Sequence, residues 1–351
     1  MNRGGSRRFM VARGAARRGS SAARQWGRWR PVAPAQASNA MISQAALSRM
    51  PINFDERPRL RRFLEHVAGM IPCEPEAARV DLHRMSVSEL LGRYVNWADR
   101  YVAPRPRRVV TWEGFLRHGL PQLHREAVYD LAKKIEAGDD LTPFLSDRIR
   151  FGYMPSKRKN TKRRGVEWRD DKDYVLNTFD THHLHLRPQG SREVLYVIFF
   201  RKEAFLVMLG DHKSFDDGAL AQAVTKSRVG TALEFKNILG PANPFTMAQQ
   251  NHLQRYGFST SYQVGGHTVL GATLVGAGFS LLHTRHADRM IITIMELDPQ
   301  LDEPGFGREA FERHGRPYPA APNFEWIMQY CDLCLVETTT HTGLQRVEWR
   351  R

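Results

Sequence analysis

Cysteine is scarce in this chain. Three residues, Cys73, Cys331 and Cys334, occur among 351, too few for a disulfide scaffold. No stretch combines a charged n-region, an apolar h-region and a small-residue cleavage site, so the sequence predicts no secretory signal. Together these absences point to a reducing cytoplasm. Acidic residues are missing from residues 1–54, which hold ten arginines and no lysine; the first carboxylate is Asp55. Long apolar runs are missing too, with one near-exception from Val264 to Leu282. That run barely meets the length of a membrane span. It is interrupted by Gly265, Gly266, Gly271, Gly276, Gly278 and His267, which suit buried strands with tight glycine turns better. No membrane partner is expected.

What remains is a globular composition, 42% hydrophobic, 10% aromatic and 25% charged, enough to build a core. The net charge of +15 overstates the case for a polyanion partner. Ten of those charges lie in residues 1–54, leaving +5 for the rest of the chain. Residues 1–52 show no apolar periodicity and are expected to be disordered. Three readings compete for them: an upstream extension with the true start nearer Met41 or Met50, a transit peptide, or a nucleic-acid-binding arm. The first is preferred because nothing else suggests an organelle.

Residues 53–155 read as a helical region. Ser86-Val87-Ser88-Glu89 is a capping-box pattern, and Leu90, Leu91, Tyr94, Val95 and Ala98 follow at helical spacing. Leu123, Ala127, Val128, Leu131 and Ile135 form a second stripe, which Gly138 is placed to end. Residues 156–170 read as a basic linker. Within it Lys157, Arg158, Lys159, Lys162, Arg163 and Arg164 place six cations in eight positions. A solvated loop accounts for them; so does a phosphate-contacting, nucleic-acid-binding loop, helped by Trp168.

Residues 171–351 read as a sheet domain, because the apolar period shifts to that of strands. Tyr174–Leu186, Val194–Phe200 and Ala204–Leu209 are expected strands, followed by a helix from Leu220 to about Ser227. Further strands are expected at 268–283 and 289–297, and Phe324–Glu337 fits strand or helix. The fold class is therefore α+β, a helical N-terminal region followed by a mostly antiparallel sheet domain with a few helices.

The most chemically suggestive stretch is Asp180-Thr181-His182-His183-Leu184-His185-Leu186. On a strand His183 and His185 share a face, and His182 points to the other. His212 lies just past the end of the strand two along. In a three-strand meander it falls beyond the level of His185, near the turn at 188–192. Three imidazoles suit zinc or another divalent transition metal. Contiguous metal patterns do not fit: Arg187 stands where a metallo-β-lactamase-like motif needs Asp, and Gln189, Gly190 and Ser191 stand where a cupin wants Glu. A ββα-metal nuclease would need an asparagine that is missing between 183 and 212. The alternative is metal-free RNA cleavage, which needs a base, an acid and a cation for the phosphorane charge. Histidine suits both proton-transfer roles, and Arg187, Arg192 and Lys213 offer cations. Histidines packed as spectators on a sheet complete the set of readings.

Residues 182–228 also resemble a known family. His183-Leu184-His185-Leu186, a polar turn and Arg192-Glu193-Val194-Leu195-Tyr196-Val197-Ile198-Phe199-Phe200 come first. Phe205-Leu206-Val207-Met208-Leu209-Gly210-Asp211-His212-Lys213-Ser214-Phe215 and a helix through Ala221-Gln222-Ala223 follow. This is similar to the central hairpin of RelE-type ribosome-dependent ribonuclease toxins. The resemblance implies RNA as partner, no cofactor, Arg192 and Lys213 as phosphate contacts, and His185 and His212 as acid/base candidates. The chain departs from the family in its long helical region before the hairpin and in the length of chain after it.

The leading expectation is thus an RNA-directed endoribonuclease of toxin or defence type, with His183, His185, His212, Arg192 and Lys213 as catalytic candidates. The alternatives are a metal-dependent enzyme built on His183, His185 and His212, and a non-enzymatic nucleic-acid- or protein-binding module. Cys331-Asp332-Leu333-Cys334 is expected to be core packing, and His283 and His286 fit either a site or a polar turn.

Overall fold

The computed structural model describes residues 57–117, 121–154, 172–188, 190–227, 233–235, 245–246, 249–250, 253, 261–264, 267–270 and 280–349. The Arg-rich extension and the 157–164 loop lie outside the described residues. In chain order the elements are helices α1 (Pro58–Met70), α2 (Arg79–Arg84) and α3 (Val87–Ala98), strand β1 (Arg108–Thr111), and helices α4 (Glu113–Arg117), α5 (Gln122–Ala137) and α6 (Tyr174–Phe179). Strands β2 (His182–His185), β3 (Glu193–Phe199) and β4 (Glu203–Asp211) follow, then α7 (Ala219–Ser227), β5 (Leu233–Phe235), β6 (Ser261–Val264) and β7 (His267–Leu270). The remainder comprises α8 (Leu281–Leu297), α9 (Arg308–Arg313), β8 (Phe324–Gln329), β9 (Asp332–Glu337) and β10 (Thr342–Val347). The α+β class is as the sequence predicts. Among the described residues no helix is long and apolar enough to cross a membrane.

The four-stranded sheet has the order β1-β4-β3-β2. Strand β1 runs parallel to β4, and the other neighbours are antiparallel. Both faces are covered, which is why β3 reads as an unbroken apolar run. Leu184, Leu195, Val197, Phe199 and Leu206 face Val128, Leu131 and Ile135 of α5. Val194, Tyr196, Ile198, Phe205 and Val207 face α6 and Leu220, Ala221 and Val224 of α7. A register shift at Tyr196/Val197 leaves Val207 as the extra residue of a bulge, because Tyr196 pairs with Met208 and Val197 with Leu206.

A second core joins the two ends of the described chain. Leu60, Phe63 and Val67 of α1 and Leu91 and Val95 of α3 pack with Met290 and Ile294 of α8 and Trp326, Leu333 and Leu335 of the β8–β9 hairpin. Chain contacts divide the protein at Pro51/Ile52, and residues 52–351 form a single unit. The expected division at 156–170 therefore separates no cores. Strand β1, from the helical region, is itself an edge of the sheet.

Several local expectations meet a different outcome. Residues 289–297 belong to helix α8: Ser280 Oγ accepts from the Leu282 N–H. The buried positions 283, 286, 287, 290, 291 and 294 recur at helical spacing, so tertiary burial overrides the β-preference of Ile291, Ile292 and Ile294. Residues 174–179 are helical because Asp173 caps them, its side chain accepting from the Leu176 N–H at 3.0 Å. Phe324–Glu337 resolves into a hairpin. The N-cap at Ser86 and the left-handed C-cap at Gly138 are as the sequence predicts.

Candidate functional site

Helix α6 ends at Asp180, which adopts the left-handed region with φ of 54°, a conformation Asp tolerates better than most side chains. The chain leaves this turn directly into β2. His183 pairs with Tyr196 and His185 with Val194 on β3, so both imidazoles stand on the face that carries α6 and α7. His182 faces the other way: its Nε2 lies 2.7 Å from the Asp99 carbonyl and its ring packs edge-on against Phe199. Its role is structural.

His212 reaches the pair through the turn after β4. Gly210 pairs with Val194, level with His185. A Cβ at Gly210 would stand 2.5 Å from Ser214 Oγ, so the missing side chain lets the turn fold back over the strand. Ser214 Oγ accepts from the Asp211 N–H at 3.1 Å, and Asp211 Oδ1 accepts from the Lys213 N–H at 2.9 Å. Tyr196 adds a further tie, its hydroxyl donating to the Asp211 carbonyl at 2.8 Å.

The three imidazoles converge. Ring centroids are 6.1 Å apart for His183 and His185, 5.7 Å for His183 and His212, and 5.2 Å for His185 and His212. One ring nitrogen or more of each lies within 4.8 Å of those of the others. His185 is buried, His183 half-buried and His212 exposed, which makes a site open on one side. His183 Nδ1 is buried and has no hydrogen-bond partner among the described residues.

Ser191, in the β2–β3 turn, holds His185. Its carbonyl lies 3.0 Å and its amide nitrogen 2.9 Å from His185 Nδ1. Only one of these contacts is a hydrogen bond in a given tautomer. With Nδ1 protonated and donating to the carbonyl, the Nε2 lone pair is free for a ligand, the usual arrangement behind a metal-bound histidine. Ser191 Oγ fixes the turn by accepting from the Leu186 N–H and donating to the Glu193 carbonyl.

Both inner imidazoles favour the neutral form. Burial pushes the His183 pKa down, with His212 and His185 adding repulsion and Asp173 opposing them. Burial also lowers His185, against the Ser191 contact and Asp147. Asp173 lines a small cavity beside His183 together with Ser146 and Arg148. Asp173 caps the helix that leads into β2, whereas Asp147 comes from a segment more than thirty residues upstream.

The remaining expected site residues stand apart from the cluster. Arg192 precedes β3 and Lys213 follows His212; both are exposed. Among the described residues neither side chain has a hydrogen bond or ion pair to the three histidines. Arg187 is exposed on the same turn as Arg192. His283 and His286 are buried on α8, bonded through Nε2 to Asp99 Oδ2 at 3.1 Å and to the Cys331 carbonyl at 2.6 Å. Cys331 and Cys334 are free and buried, packed as the sequence predicts. No protein-family model, curated protein or solved structure matches this chain.

Proposed function

We propose that His183, His185 and His212 form a three-histidine metal centre of a hydrolytic enzyme. The observation that supports this best is the convergence of three imidazole rings within 4.8 Å, nitrogen to nitrogen, on one open-sided site. Zinc suits the ligand set, since imidazole binds it at about 2.0–2.1 Å and three protein ligands leave a position for water or substrate. The low proton affinity of His183 and His185 favours ligation and disfavours either as a general acid at neutral pH. Zinc would supply an activated water for hydrolysis. Ser191 orients His185, and Asp173 and Asp147 provide negative charge beside the imidazoles.

The test is metal analysis of the full chain purified without chelator and reloaded with zinc, manganese or iron. About one zinc per chain is expected, lost in His183→Ala and His212→Ala. Sub-stoichiometric binding of every metal would remove the reading.

A second reading is a metal-free endoribonuclease. It is favoured by the two exposed cations, Arg192 and Lys213, on the turns that flank the cluster, and by the open, exposed His212. It expects RNA cleavage that persists in EDTA and disappears in His185→Ala. The free, buried cysteines Cys331 and Cys334 fit a reducing cytoplasm on either reading.

A further inference from the structure

On the sheet face opposite His183, a small cleft of about 50 Å³, open to solvent on one side, lies between the 101–107 segment, the β3–β4 turn and the β8–β9 hairpin. Arg105, Arg107 and Arg201 line it, with Tyr101, Tyr330 and Trp349 among the aromatic walls. We propose that this cleft binds a phosphate-bearing ligand, with Arg105 and Arg201 as its charge partners.

The carrying feature is Arg105. Three guanidinium groups compete for the single buried carboxylate of Asp332. Arg346 donates to Asp332 Oδ2, Arg201 stands at 3.2 Å from it and Arg105 at 3.6 Å. Asp332 Oδ1 is already taken by the Trp349 N–H at 2.7 Å. Arg201 has Glu348 as well, at 2.8 Å, and Arg346 has Gln329 at 3.1 Å. Arg105 has only its long contact to Asp332 among the described residues, yet its side chain is three-quarters buried, at 25% exposure. None of its nitrogens is both fully buried and unbonded, so its donors reach the solvent of the cleft, where phosphate oxygens can replace water as their partners. Its pKa is lowered, by burial first, with Arg201 and Arg346 adding repulsion. Arg107 brings further positive charge to the cleft, its guanidinium anchored on the Phe200 and Ala103 carbonyls and stacked on Phe199.

The rim carries a second sign of function. Tyr330 occupies the left-handed region, with φ of 53°, in a two-residue hairpin turn where Gly or Asn would be unstrained. The turn is held there by three bonds from the helical layer. Tyr94 Oη donates to the Tyr330 carbonyl at 2.8 Å, His286 Nε2 to the Cys331 carbonyl, and Cys331 Sγ to the Val95 carbonyl. The strain keeps a half-exposed phenol ring over the mouth of an arginine cleft, where it can cover the organic part of a bound phosphoester. A tetrahedral phosphate, with oxygens pointing several ways, meets guanidinium groups arriving from two different segments; a planar carboxylate is served by one fork.

Calorimetry on the full chain with inorganic phosphate, a nucleoside monophosphate and acetate, each at matched chloride ionic strength, tests this. Phosphate or the monophosphate is expected to bind, and Arg105→Gln to weaken it by roughly tenfold or more. Arg105→Lys should lose part of that affinity while keeping the charge. Tighter binding of the monophosphate than of inorganic phosphate would place the organic group under Tyr330. Equal binding of acetate, binding indifferent to Arg105→Gln and Arg105→Lys, or no binding of either phosphate would overturn the proposal.

Discussion

The Trp349 indole N–H donates to Asp99 Oδ1 at 2.6 Å, joining two residues 250 positions apart. Asp99 is buried, and its other carboxylate oxygen accepts from His283, so this contact closes the end of α3 against β10 and α8. Replacing Trp349 by Phe keeps much of the ring and removes the donor. The expected cost is about 1–3 kcal/mol, because a buried carboxylate loses a partner. Urea unfolding should show a lower midpoint with an unchanged m-value.

Acid weakens the protein through His286. Burial lowers its pKa from 6.5 to about 4, opposed by the bond to the Cys331 carbonyl. The unfolded chain therefore binds a proton that the folded one refuses. Stability is full above about pH 6.5 and falls as the pH drops towards 4. The shift corresponds to about 3 kcal/mol. In His286→Gln this part of the pH dependence should disappear from thermal melts recorded between pH 7 and 4.

Glu337 governs the next acid step. Burial alone would raise its carboxyl, but hydrogen bonds from Thr340, Asn323 and Thr339 outweigh that and bring it down to about 2. The folded pKa is depressed, so its contribution is complete above the unfolded value of about 4.5 and is lost as pH falls through 2. Glu337→Gln should lower stability at pH 7 by about 3 kcal/mol and flatten the curve between pH 4.5 and 2. A variant as stable as the parent at pH 7 would contradict this.

Gly210→Ala probes how the turn delivers His212. The new Cβ would press on Ser214 Oγ at 2.5 Å and on Met208 Cε at 3.0 Å, so the turn has to shift. A fall in zinc affinity of roughly 10–100-fold is expected, the size seen when groups that orient metal ligands are disturbed. Unchanged affinity would mean that His212 does not depend on this turn.

Arg105→Gln should leave the ligand-free protein as stable as the parent or slightly more so, because it removes a poorly paired, mostly buried cation. Differential scanning calorimetry in chloride alone reads this directly. A fall of several degrees would show Arg105 to be a structural partner of Asp332.

Local chemistry was the most legible part of the sequence. The Ser86 cap, the Gly138 stop and the β3–β4 hairpin are written in a few adjacent residues. So is the shared face of His183 and His185, which follows from the period of a strand. The arrival of His212 is not, since it depends on the extra residue of the Val207 bulge and on the space left at Gly210. Helix α8 was hidden behind Ile291-Ile292-Thr293-Ile294, a β-favouring run whose conformation is decided by α3 and the β8–β9 hairpin packing against it. Asp147 carried no signal, because its nearness to the histidines is a property of the assembled fold. The arginine cleft is likewise assembled from segments more than two hundred residues apart.

The core that unites α1 and α3 with α8 and the β8–β9 hairpin also sets an order of events during synthesis. A ribosome extends a chain at about 5–20 residues per second, so Leu60, Phe63 and Leu91 emerge ten seconds or more before Met290 or Leu333. In that interval the early helices expose the surfaces they will later bury. The nascent chain therefore has a window in which a chaperone, or a neighbouring nascent chain, meets those faces before their own partners exist.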